Sequence, residues 1–286
     1  MAGTGGTALL ERLLRRDRLI TAAGLALLCA LAWLYVLTGG GLGMSAWDMT
    51  TLSLFPHKAA EASVTMAMPM TPGMDMDPPS WSLGLWALTV AMWGTMMVAM
   101  MAPSAAPAIL LYGQVHRRAL ANDQAASLAP AWTFAAGYLL VWFGFSLAAA
   151  VLYWGLERAG LVSAATMGSR SRWLSGTVLV AAGLYQLSPL QRVCLSHCRA
   201  PAAFLSRHWR PGPWGAVRLG VLHGTYCLGC CWLLMALLFV GGVMNLAWIA
   251  ALTLLVLAEK LLPGGPWVAR AAGVALLAWG AATPLV

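Results

Sequence analysis

The sequence predicts an all-α fold, a polytopic membrane helix bundle of about seven transmembrane helices with the N-terminus in and the C-terminus out. Three observations carry that expectation. Only 9% of the 286 residues are charged and 60% are hydrophobic, whereas soluble domains have about 25% charged. The apolar residues fall in runs of about 20, the length needed to cross a hydrocarbon core about 30 Å thick. Of the 17 Lys and Arg, 13 fall on one side of the predicted bundle, the asymmetry that marks the cytoplasmic face of membrane proteins. That asymmetry also accounts for the net charge of +8. The basic residues lie in short loops between apolar spans, so the expected partner is a lipid bilayer and not a nucleic acid.

Residues 1–18 form a basic cytoplasmic N-terminus with Arg12, Arg15, Arg16 and Arg18, and the first transmembrane helix follows over 19–38. The run is long enough to span and has no clean small-residue cleavage site after it, so it reads as a retained helix rather than a signal peptide. Residues 39–80 are a Gly/Pro-rich outer loop with an amphipathic patch near Trp47–Phe55, ending in a Met-rich stretch that includes Met66, Met68, Met70, Met74 and Met76. A thioether is a soft, neutral ligand whose binding does not depend on protonation, which suits Cu(I) in an oxidising compartment.

Residues 81–286 are read as a six-helix metal-binding membrane domain. Its first span, near 81–113, carries Met92, Met96 and Met100 on one face with Met97 and Met101 beside them, before Pro103 and Pro107. Residues four apart share a helix face; the pattern serves packing as well as ligation. The remaining spans are expected near 131–156, 173–187, 214–240, 244–262 and 267–285, with Gly241 and Gly242 making a tight hairpin.

The six cysteines, Cys29, Cys194, Cys198, Cys227, Cys230 and Cys231, are too unevenly spaced for a secreted disulfide framework. Three of them, with His223, lie in one apolar run. At about 100° per residue, His223, Cys227, Cys230 and Cys231 fall within roughly a third of the helix circumference. Polar groups inside a membrane span are functional candidates, and thiolates with imidazole suit Cu(I), with zinc as the second fit. Gly220 and Gly224 on the same helix have the small-x-x-x-small spacing that lets a neighbour approach closely. Counting from the span ends puts these cysteines at about the depth of Met96, Met97 and Met100, so the two soft stripes are expected to face one another.

Between the fourth and fifth spans a short cytoplasmic-side helix is expected. Ser188 reads as its N-cap, Pro189 as its first residue, Gln191 as the capping-box partner and Pro201 as its stop. Cys194 and Cys198 share one face of it, near His197, Arg192 and Arg199, and cationic neighbours favour the thiolate. Glu259 and Lys260 at the inner end of the sixth span read as a local ion pair.

The segments Met96–Pro107, Tyr185–Pro201, His223–Trp232, Gly241–Asn245 and Glu259–Lys260 together resemble a bacterial family of predicted metal-binding integral membrane proteins, otherwise a domain of unknown function. The resemblance covers about residues 80–285 and omits the Met-rich loop. It implies a metal-binding helix bundle of the bacterial inner membrane, associated with copper, and supplies no reaction.

The leading expectation is thus a multi-pass protein that binds or relays Cu(I) through Met, Cys and His ligands, with a soluble metal chaperone or another membrane subunit as partner. No G-x-x-x-x-G-K-[ST] motif is present to drive pumping, and the residues favour binding over catalysis. The alternatives are a membrane thiol–disulfide oxidoreductase using Cys227/Cys230 and Cys194/Cys198, and a scaffold subunit with a structural metal site.

Overall fold

Every regular element observed is helical, and the order of the helices follows from where prolines, glycines and caps interrupt the apolar runs. The computed structural model describes residues 4–41, 46–53, 55, 81–121, 129–164 and 166–286, with side chains from Arg18 onward in the first helix and to His116 in the second. Met66, Met68, Met70 and the rest of the Met-rich stretch lie outside the described residues. The elements are α1 (Thr4–Leu37), α2 (Leu83–Ala121), α3 (Ala131–Arg158), α4 (Arg172–Leu187), α5 (Pro189–Arg199), α6 (Pro201–His208), α7 (Gly212–Ala236), α8 (Leu238–Gly241), α9 (Leu246–Leu261) and α10 (Gly265–Ala282), closed by a 3₁₀ turn at Thr283–Leu285.

Five helical stretches among the described residues are long and apolar enough to cross a membrane: Arg18–Leu37, Leu83–His116, Ala131–Arg158, Gly212–Gly241 and Gly265–Leu285. The pair α4 and α5, bent by 64° at Ser188, makes a sixth if counted as one broken span. Helix α9, the expected sixth span near 244–262, has 16 residues. At 1.5 Å per residue that is about 24 Å, short of a 30 Å core.

The break at Ser188 has the predicted chemistry with one change. Ser188 Oγ accepts from Gln191 N, and Pro189 opens α5. Gln191 does not close a capping box, because its side chain is fully buried and its amide has no hydrogen-bond partner. The helix ends at Arg199, just before Pro201, and Pro201 then opens a further helix, α6.

Helix α7 is the packing centre, and glycines set how near its neighbours come. A Cβ at Gly220 would stand 2.0 Å from Phe134 O on α3, and one at Gly137 of α3 would stand 2.2 Å from Val217 O on α7. The two backbones therefore touch where side chains would keep them apart, as small residues allow between membrane helices. Gly229 gives α5 the same access, since its Cβ would stand 2.9 Å from Cys194 Sγ. Helix α2 approaches α7 less closely than α3 does and reaches it through long side chains.

The hairpin at Gly241–Gly242 forms as expected. Gly242 adopts φ 94°, a left-handed conformation that favours glycine, and Gly241 lies against the Trp248 ring. Asn245 caps α9 by accepting from Ala247 N and Trp248 N, while its Nδ2 donates to Thr51 O and Gly241 O. The 46–53 segment is tied to the hairpin in this way. At the same end of the bundle Trp81 Nε1 donates to Glu157 Oε2 at 2.9 Å, and Trp81, Trp86, Tyr153 and Trp154 pack together, an arrangement suited to a membrane–water boundary.

A stability comparison tests the close crossing. Gly220→Ala, which places a methyl group against Phe134 O, is expected to lower unfolding stability by about 1–3 kcal/mol, the usual cost of overpacking. Gly144→Ala on α3, where nothing lies within 4 Å of the added Cβ, should leave it unchanged or slightly higher. Thermal unfolding of the detergent-solubilised proteins reads the difference, and equal midpoints contradict the crossing.

Candidate metal centre

Cys227, Cys230 and Cys231 are buried along one side of α7, each about 1% exposed. The helix itself engages two of them: Cys230 Sγ donates to Cys227 O at 3.1 Å and Cys231 Sγ to the same carbonyl at 3.0 Å. Helix α5 adds a fourth thiol. Cys198 lies close to Cys227 and Cys230, as does Cys231. All six cysteines of the chain are free.

Cys194 and Cys198 share a helix face and are both half-buried, Cys198 toward Cys227 and Cys230 and Cys194 beside Gly229. Tyr185 of α4 donates its hydroxyl to Gly229 O and so pins this part of α7.

The methionine stripe reaches the cysteines at Met101, whose Sδ lies 3.9 Å from Cys231 Sγ. Met92, Met96, Met97, Met100 and Met101 are all 1% exposed or less. At the far end of the stripe Met92 and Met244 flank the same glycine, each with a side-chain atom 3.1 Å from where a Cβ on Gly40 would be. Met244 was not among the expected ligands, because the hairpin that carries it is distant in sequence from the stripe.

Lys260 is the residue that sequence reasoning placed wrongly. Instead of pairing with Glu259, it is 6% exposed, and Nζ lies 2.8 Å from Cys227 Sγ and 3.2 Å from Ser104 Oγ. Glu259, 1% exposed, accepts from Gln186 Nε2 at 2.5 Å. Adjacent helical residues point about 100° apart, so these two side chains serve different neighbours. A lone lysine in an apolar span costs about 2.5–3.5 kcal/mol, and a hydrogen bond to a charged group returns about 1.5–3 kcal/mol. Two partners therefore suffice to hold it there. The need of a buried lysine for a partner was the signal available in the sequence.

Tyr138 of α3 completes the surroundings of Cys227. Its hydroxyl is 3.1 Å from Cys227 Sγ and 3.1 Å from Met101 O, and Ser104 Oγ donates to the same Met101 carbonyl at 2.8 Å. Five helices, α2, α3, α5, α7 and α9, thus meet at one sulfur atom or its direct partners.

His223 lies one turn from Cys227 and is 3% exposed. Its ring is enclosed by Phe134, Tyr138 and Phe204, at centroid distances of 5.8, 5.9 and 5.2 Å. Its Nδ1 has no hydrogen-bond partner.

Among the described residues, no three His, Cys, Asp or Glu side chains are posed as a ready-made coordination shell. The thiols are held by hydrogen bonds to a backbone carbonyl, to an ammonium and to a thioether. The donors present are nevertheless of one chemical kind. Four thiols and a thioether, with carboxylates held elsewhere, fit a soft ion such as copper and fit magnesium or calcium poorly.

Burial separates the thiols kinetically. In the folded, detergent-solubilised protein, Cys194 is expected to react with a maleimide at least about tenfold faster than Cys227, Cys230 or Cys231, because reagent access limits buried thiols. Peptide mass spectrometry after timed quenching measures this, and uniform labelling rates contradict the buried cluster.

No curated protein and no solved structure matches the chain. A family model does match it, over residues 90–283, a stretch that holds the methionines from Met92 onward, all the thiols but Cys29, and Lys260. That family is PpoB2, described as a copper chaperone, and the chain belongs to it.

Proposed function

We propose that the protein carries copper as Cu(I) through a bacterial inner membrane along a line of soft ligands and hands it to an acceptor at the α5–α6 end. The observation that carries this reading is the meeting of Cys198, Cys227, Cys230 and Cys231 with Met101, where the thioether stripe of α2 reaches the thiol cluster. Thioethers hold Cu(I) weakly and thiolates hold it firmly, so affinity rises along the line without ATP.

In this reading Met66, Met68 and Met70 collect the ion on the outer side. Met92 with Met244 receives it, Met96, Met97 and Met100 pass it along α2, and Met101 delivers it to Cys231. Cys227, Cys230 and Cys198 then hold it. His223, with a free ring nitrogen one turn away, is an additional donor. Cys194 is the accessible thiol that exchanges copper with a soluble metal chaperone or a second membrane subunit. The five arginines at that end, Arg192, Arg199, Arg207, Arg210 and Arg218, support a cytoplasmic orientation for it. A thiol–disulfide relay would use the same cysteines, but a thioether takes no part in thiol exchange, so the Met101–Cys231 contact favours ligation.

Copper content separates the readings. Cys227→Ser and Cys198→Ser are each expected to lower the copper retained by the purified protein at least about fivefold, since a hydroxyl is a hard, poor ligand for Cu(I). Cys29→Ser, outside the cluster, should retain the wild-type amount. Elemental analysis after growth in mixed trace metals makes the measurement, and equal copper in Cys227→Ser and Cys29→Ser would sink the proposal.

A kinetic experiment addresses the stripe. Met96→Leu with Met100→Leu conserves volume and should cost less than about 1.5 kcal/mol in stability. Loading from a Cu(I)–chelator complex presented in stopped flow should slow several-fold while the final copper content stays at the wild-type level. Unchanged loading kinetics would remove the stripe from the route.

A further inference from the structure

Cys227 differs from the other thiols in what its sulfur receives. Lys260 Nζ at 2.8 Å and the Tyr138 hydroxyl at 3.1 Å both stand against it, whereas Cys230 and Cys231 direct their own S–H groups at Cys227 O. Lys260 donates to the Cys227 sulfur, whereas the Tyr138 hydroxyl gives its proton to Met101 O. The lysine thus sets a positive charge directly on the thiol cluster, in a place where burying an unpaired charge is costly.

We infer that Lys260 is a specificity-determining residue: by placing one fixed positive charge beside Cys227, it matches the cluster to a monovalent soft cation and discriminates against divalent ones. The inference rests on the copper-carrying reading above and adds the ion's charge to it. The balance is explicit. A Cu(I) ion is held by Cys227 and one further cysteine as thiolates, any S–H protons they carried leaving to bulk water. Two thiolates, one ammonium and one monovalent cation then sum to zero. A divalent ion held by the same two thiolates leaves an excess positive charge, and neutrality requires a third thiolate and the loss of one more proton. Lys260 contacts Cys227 through a nitrogen that donates, so it acts as a counter-charge and not as a ligand.

Softness does not make this distinction. Cd(II) and Hg(II) also favour thiolates, so a cluster chosen on ligand chemistry alone would admit them. Nor does Glu259 cancel the charge of Lys260 through a direct bond, since its carboxylate accepts from Gln186. Arg199, the other cation near this part of α9, donates to Glu259 O and Pro263 O.

The test compares two soft ions of different charge on the purified full chain. Ag(I), a redox-inert monovalent probe, and Cd(II) are titrated into wild type, Lys260→Gln, Lys260→Met and Lys260→Arg. Wild type is expected to bind Ag(I) more tightly than Cd(II). Both neutral variants should shift the Ag(I):Cd(II) affinity ratio toward Cd(II) by at least about tenfold, because a fixed charge has been removed from a buried site, while Lys260→Arg stays near wild type. A ratio unchanged in either neutral variant overturns the inference, and so does a wild type that prefers Cd(II), which needs no variant to fold. A wild type that binds neither Ag(I) nor Cu(I) overturns the copper-carrying reading itself.

Discussion

The contact between Lys260 and Cys227 is the constraint around which the bundle is arranged. Neither group is stable alone in an apolar interior, and each is satisfied by the other at 2.8 Å. Because Lys260 stands on α9 and Cys227 on α7, the pair fixes the relation of two helices that are otherwise joined by a glycine hairpin. Ser104 from α2 and Tyr138 from α3 complete the surroundings. Breaking one partner of a buried charged pair costs far more than the pair gains over an apolar substitute, so this arrangement is better explained by what it prepares than by stability.

Preparation of that kind requires helices closer together than ordinary side chains permit. Gly137 and Gly220 bring α3 and α7 into backbone contact, and Gly229 opens a space that Cys194 occupies. Helix α5 reaches the thiols only because the chain turns by 64° at Ser188–Pro189. Without that turn α4 would continue along its own axis, and Cys198 would have no route to Cys227. The methionines need no such approach. Long, flexible and polarizable, they bridge the wider gap between α2 and α7.

Much of this was legible in the chain itself. The helical class, the cap at Ser188, the hairpin at Gly241–Gly242 and the buried stripe Cys227–Cys230–Cys231 all follow from local rules: periodicity, capping and the missing Cβ of glycine. The errors share one cause. Gln191 matched a capping box locally, but its amide is drawn into the interior. Glu259 and Lys260 are neighbours in sequence and invited pairing, yet their partners are Gln186 and Cys227, 73 and 33 residues away.

What the sequence determined by itself is the inventory: apolar spans, where they break, and which helix faces carry soft ligands. Each of these is set within about two helical turns, by periods of 3.6 residues and by single prolines and glycines. The tertiary structure decided which members of that inventory act together. It set Cys198 beside Cys227, placed Met244 and Met92 around Gly40, and gave Lys260 the sulfur of Cys227 as its partner in place of Glu259. Those choices depend on helix crossings set by steric contact between distant residues, and a lysine's partner in a low-dielectric interior is whichever acceptor the crossings bring to it.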